Sequence, residues 1–223
     1  MQRTWRQFQA QPWATYLFLL IQGLVYLLMT LAGGSENSIV LVDFGAKVND
    51  LIAAGQWWRL LTPMFLHIGL THLVINSVTI YFIGNQIEML FGHWRFILLY
   101  LLSGFSGNLA SFVFNTNLSA GSSTAIFGLF GAFFMLVTEF RENTALRAVG
   151  QQFGLFILLN LVFDVMMPGV DLAGHVGGLL GGFLGATVVG IPNMRLSVVK
   201  RIAAALIFMI AAGAFLWLGL NPR

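Results

Sequence analysis

Seven apolar stretches divide the chain, at about 14–32, 67–90, 95–114, 123–139, 151–167, 172–191 and 202–220. A bilayer core near 30 Å needs about 20 apolar residues per helix, so each stretch predicts a membrane-spanning helix. The prolines Pro12, Pro63, Pro168, Pro192 and Pro222 all fall in connections or tails, where they break no helix interior. One connection, about 33–66, is large, and the others are short. The pattern sets out a short N-terminus (1–13), a six-helix core (14–191) carrying the 33–66 loop, and a connecting loop, seventh helix and tail (192–223). The expected fold is all-α, a polytopic membrane helix bundle of six helices plus a C-terminal seventh.

Three places interrupt this greasy pattern. Gly121, Ser122, Ser123, Thr124 and Gly128 put small and hydroxyl residues at the head of the fourth run. Gly174, His175, Gly177 and Gly178 do the same at the head of the sixth, and His67, His72 and Asn76 stand at the head of the second. Polar residues in hydrocarbon are costly, and are functional candidates for that reason.

Composition narrows the class. Only 9% of the 223 residues are charged and 58% are hydrophobic, against a charged share of about 25% in soluble domains. The net charge of +3 comes from 11 Lys and Arg spread without a basic stripe, which argues against a nucleic-acid partner. These cations instead read as topology signals. With the N-terminus inside, Arg3, Arg6, Arg95, Arg141, Arg147, Arg195, Lys200 and Arg201 lie on the inner side, and Lys47, Arg59 and Arg223 on the outer. The bias places the N-terminus in the cytoplasm and the C-terminus and large loop outside, with a bacterial plasma membrane as the expected location. Arg3 and Arg6 before an apolar run suggest a signal peptide. However, 14–31 is longer than a usual signal core and no small-x-small site follows cleanly, so a retained helix is expected.

In this topology the second, fourth and sixth helices all enter from outside, so His72, Asn76, Ser123 and His175 share the outer part of the membrane. The fourth run, from Ser123 to Glu139, spans roughly 25 Å at 1.5 Å per residue, less than the bilayer core. Ser123 therefore starts below the outer surface. Non-helical backbone at that depth is tolerated only within protein or beside a water-filled cavity, which predicts a wet pocket opening outward.

A serine hydroxyl becomes a nucleophile when a base takes its proton. His175 is the candidate base by depth, while topology puts His93 on the inner face. Ser123 also sits where unpaired N–H groups and the positive end of the helix dipole can stabilise an oxyanion. His72 and Asn76, four apart on one helix face, are candidate side-chain donors to that site. Two rows, Gly174/Gly178/Gly182 and Gly177/Gly181/Gly185, and a small-residue row Gly121/Ala125/Gly128/Ala132, would let the fourth and sixth helices approach closely. Phe127, one turn after Ser123, would stack on the imidazole. Each residue also has an ordinary reading. Ser123 could be packing, His175 an interhelical hydrogen bonder, and His67 a tie between loop and helix. Their occurrence at one depth favours chemistry.

At these residues the chain resembles the rhomboid family of intramembrane serine proteases. Gly121-Ser122-Ser123 matches the family's G-x-S motif, and Gly174-His175 with Gly178 its second catalytic motif. His67, His72 and Asn76 reproduce its H-x4-H-x3-N pattern, Trp58-Arg59 its loop pair, and Glu88 with Gly92 its E-x3-G turn. The resemblance covers about 43–186, and a seventh helix is similar to the six-plus-one bacterial form.

The resemblance implies a Ser123–His175 dyad cleaving other transmembrane proteins near the outer surface. The oxyanion hole would comprise the Ser123 backbone, His72 and Asn76, with His67, Phe127, Gly121, Trp58 and Arg59 in support. The segment 165–172 would cap the site and move, and substrates would carry small residues at the cut with helix-weakening residues beyond. Two departures stand out: Thr124, where many members have Gly, adds a β-branch beside the pocket, and Phe127 stands where some have Tyr.

Two rival readings are a catalytically silent rhomboid-like protein that binds membrane clients, and a small transporter. Intact Ser123 and His175 argue against the first, and the absence of paired inverted repeats with broken helices against the second. No cofactor or metal is expected, since the chain has no Cys and no H-E-x-x-H. Lys47 and Lys200 sit in connections, unsuited to a serine–lysine pair. No aspartate completes a triad in this reading: Asp164 belongs to no paired-aspartate motif, and Asp171, four before His175, is expected to be a helix cap rather than its orienting partner.

Overall fold

A computed structural model describes residues 11–167, 169–192 and 196–221. Arg3, Arg6, Arg195 and Arg223 of the charge count, and Pro168 and Pro222, lie outside the described residues. The described chain is helical, without a β-strand, in the order α1 (Trp13–Leu31), α2 (Ser38–Asp43), α3 (Asn49–Ala53), α4 (Gly69–Thr79), α5 (Asn85–Phe91), α6 (His93–Phe114), α7 (Ser123–Glu139), α8 (Thr144–Met166), α9 (Leu172–Val189) and α10 (Val198–Leu220). Helices α1, α6, α8, α9 and α10 are long and apolar enough to cross a membrane, and α7 is a shorter apolar helix. The protein is an all-α, multi-pass integral membrane bundle.

The second apolar run departs from the single helix expected. It is α4 and α5 joined by a π-turn at Ile80–Gly84. Gly84 lies against α1 there, where an added Cβ would sit 3.0 Å from the Thr15 methyl. The fifth run also begins earlier than 151: Asn143 accepts from the Leu146 N–H and starts α8 at Thr144, as N-capping asparagines do.

Helix α9 is the central post, and its glycines explain its neighbours. Added Cβ atoms at Gly178 and Gly182 would lie 2.0 Å from the carbonyl oxygens of Thr124 and Gly128 on α7. One at Gly177 would lie 2.4 Å from the Ala110 Cβ on α6, and one at Gly181 would strike Ser106 on α6. The two predicted rows thus serve two different helices. On α7, Gly128 of the expected row meets α9, and Gly131, outside that row, adds a second backbone approach to Leu179. Ser106 Oγ also donates to the Gly177 carbonyl at 3.1 Å.

At the opposite end from the loop, Glu88 closes the start of α1. Its fully buried carboxylate accepts from the Ala14 N–H at 2.9 Å, from the Thr15 N–H and hydroxyl at 2.6 Å, and contacts His93 Nδ1 at 2.5 Å. A carboxylate there satisfies orphan amides and opposes the positive end of the helix dipole.

The large loop forms a platform under the chain that leads into α7. Lys47 and Ser119 exchange backbone hydrogen bonds at 2.9 and 3.1 Å, and Lys47 Nζ donates to the carbonyls of Asn115 and Asn117. Burial draws the Lys47 ammonium down to about 8, against the pull of Asp171. Arg59, also buried, donates from Nη1 to the carbonyls of Val42 and Ala46, both at 2.8 Å. Arg59→Ala would leave the Ala46 carbonyl without its donor and the Val42 carbonyl with the Gly45 N–H alone, at a cost of about 1–3 kcal/mol. Thermal unfolding in detergent should show the drop, and an unchanged midpoint would mean that the guanidinium does not hold the loop.

Candidate active site

Three loop-to-helix junctions converge at the N-terminal ends of α4, α7 and α9. Gly121 occupies φ +140° and donates its N–H to the Pro63 carbonyl at 2.9 Å, which turns the chain into α7. An added Cβ at Gly121 would lie 2.6 Å from His72 Cε1 and 3.6 Å from Ser123 Oγ. Glycine is therefore required twice: for the backbone angle and to let the His72 ring stand beside the serine. Ser123 opens α7, where the first N–H groups have no intrahelical acceptor.

His72 Nδ1 accepts from the Ile68 N–H at 3.4 Å. That bond places the ring proton on Nε2, the nitrogen nearest Gly121. One turn on, the buried Asn76 amide donates to the His72 carbonyl at 2.9 Å, which uses one of its two N–H bonds. On α9, the buried His175 ring stacks on Phe127 with centroids 4.2 Å apart and planes 8° from parallel.

An aspartate does meet His175, and it is Asp164. His175 Nδ1 lies 2.6 Å from Asp164 Oδ2, a buried carboxylate near the end of α8. Asp171 is indeed the cap of α9, accepting from the Gly174 N–H at 3.0 Å. Burial pushes its carboxyl up, but hydrogen bonds from Ser111, Ser119, Gly174 and Asn115 outweigh that and hold it below its usual range. Sequence spacing could not single out Asp164, because the ten residues between it and His175 include a helix end and a connection.

Ser123, His175, His72, Asn76, Phe127 and Asp164 all line one cavity of about 570 Å³. Its walls come from α4 on one side, through Thr71, Ile75 and Thr79, and from α8 on the other, through Phe156, Asn160 and Phe163. The remaining expected residues do not line it. His67 is buried behind, its Nε2 3.2 Å from the Ser122 hydroxyl and its ring edge-on to His72, so it ties the loop end to the start of α7. Trp58 and Arg59 lie in the large loop, Trp58 more than half exposed. Thr124, the β-branched residue beside the pocket, does not line the cavity. Its buried side chain packs toward α6 and α9, filling the space that side chains at Gly107 and Gly174 would need.

Comparison with known proteins bears on the family. Residues 54–192 match the family model described as Rhomboid domain. The rhomboid protease GluP of Bacillus subtilis is 43% identical over 211 residues, covering 95% of this chain and 41% of GluP. The rhomboid protein YdcA of the same organism is 36% identical over 180 residues, covering 78% of this chain and 86% of YdcA. The Rhomboid-like protease 1 of Toxoplasma gondii is 38% identical over 149 residues, covering 65% of this chain and 51% of the relative. The chain thus spans less than half of GluP's length and most of YdcA's.

Proposed function

The chain belongs to the rhomboid family, and we propose on that footing that it is an intramembrane serine protease acting on peptide bonds in or near the transmembrane segments of other membrane proteins. The observation that carries this reading is one cavity holding a serine at a helix N-terminus, a stacked buried histidine and two side-chain donors. The cavity lies between α4 and α8, so a substrate helix would unwind into it from the lipid side.

Ser123 Oγ attacks the scissile carbonyl carbon while His175 takes its proton. The oxyanion that forms accepts hydrogen bonds from the Ser123 N–H, His72 Nε2–H and the second Asn76 N–H. Collapse breaks the C–N bond, with His175 returning the proton to the leaving amine. Water then adds to the acyl-enzyme and releases the acid. The cytoplasmic N-terminus, the outward-facing loop and a bacterial plasma membrane belong to the same reading. They rest on the Lys and Arg distribution and on similarity to two Bacillus proteins.

The test is reconstitution in liposomes with single-span reporters carrying small residues near the outer end of the span. Wild type should cut there, and Ser123→Ala should not. Equal product from both would refute the reading. Within it, Asn76→Ala should lower kcat by about 10²-fold with little change in KM. Equal kcat would remove Asn76 from the oxyanion site.

A further inference from the structure

From Arg147 to Asp171 the chain holds one ionisable residue between those two, Asp164. It sits on α8, whose apolar span is only 17% buried within the bundle. A carboxylate there is expensive unless it faces inward and finds a partner. Asp164 does both: it is 8% exposed and lies 2.6 Å from His175 Nδ1. The other acid near the cavity, Asp171, is already engaged by Ser111, Ser119 and the Gly174 N–H.

We propose that Asp164 is a positioning residue for His175, so that Ser123 works in a Ser–His–Asp arrangement assembled from α7, α9 and α8. The proposal rests on the reading of Ser123 and His175 given above. An ionised carboxylate accepts from Nδ1–H, which fixes the neutral tautomer and leaves the Nε2 lone pair to take the Ser123 proton. Once the imidazolium forms, the same carboxylate faces its positive charge. Phe127 fixes the plane of the ring and Asp164 fixes its rotation within that plane. In this proposal Asp164 acts on the reaction through His175.

The rival reading is that the pair merely tethers α8 to α9. The two readings separate when a small probe is used beside a transmembrane substrate, because a fluorophosphonate needs no displacement of α8 to reach Ser123. Asp164→Asn should lower kcat for a reporter about 10²-fold with KM within about twofold, and should slow fluorophosphonate labelling in proportion. Asp164→Glu, which restores the carboxylate, should recover about tenfold of that loss, and it keeps the test available if Asp164→Asn unfolds in detergent. Labelling of Asp164→Asn at the wild-type rate, or a change confined to KM, would overturn the proposal and leave a tether. Ser123→Ala separates the two levels. Label that persists in it removes the nucleophile assignment itself, whereas label that needs Ser123 but ignores Asp164 removes only the third member.

Discussion

Ser123→Ala should lower reporter cleavage by about 10³-fold or more, with His175→Ala close behind, and with substrate binding preserved. The size follows from the roles: without the hydroxyl there is no acyl-enzyme, and without the imidazole nothing takes the hydroxyl's proton. The double variant should be hardly slower than either single one, because groups that act as a unit give strongly non-additive losses. Additive losses would mean that the two side chains work separately. Binding should survive because Ser123→Ala removes only one oxygen from the lining, and in both variants the α4 and α8 walls keep their Thr71, Ile75, Phe156 and Phe163 side chains. Measuring kcat and KM separately checks both halves of the expectation.

The second large effect lies far from the chemistry. Gly182→Leu should leave little folded protein, because even a Cβ there would sit 2.0 Å from the Gly128 carbonyl oxygen and 2.4 Å from its Cα. Those atoms are backbone and cannot rotate away, so α7 and α9 must separate. Gly182→Ala is the informative milder form. Ser123 is carried by α7 and His175 by α9, so spreading the pair moves the catalytic groups apart. A displacement near 1 Å costs about 10²-fold in rate, and overpacking costs about 1–3 kcal/mol in stability. Gly213→Ala, on α10 with open space around it, should change neither. Thermal unfolding and kcat measured on all three variants check this. Wild-type behaviour in Gly182→Ala would show that the interface yields and that the glycine row does not set the site.

Most of the architecture was legible because a bilayer forces it into the sequence. Apolar runs of fixed length, prolines confined to connections and glycine rows at helical spacing each have one cheap explanation. The stacking of Phe127 on His175 was legible too, since it needs only one helical turn from Ser123. What could not be read depends on tertiary contact. The π-turn at Ile80–Gly84 is set where α1 presses on Gly84 through Thr15, and no local composition announces it. The direction of Thr124 follows from the gaps at Gly107 and Gly174 on two other helices. Asp164 is visible as a lone acid in a greasy run, and such an acid needs a partner. Naming that partner required knowing how α8 meets α9. The start of α8 at Thr144, by contrast, is signalled by the capping Asn143, although its first turns are too polar to extend the apolar run.

The most direct measurement is the position of a fluorophosphonate adduct on the purified chain, located by mass spectrometry after digestion. Residues 122 and 123 make the test severe, because two serines stand side by side. Ser122 is fully buried with its hydroxyl on His67, and Ser123 lines the cavity with His175. The adduct is expected on Ser123, forming far more slowly in His175→Ala. An adduct on Ser122 or on a residue outside the cavity, or one that forms equally fast without His175, would contradict the account.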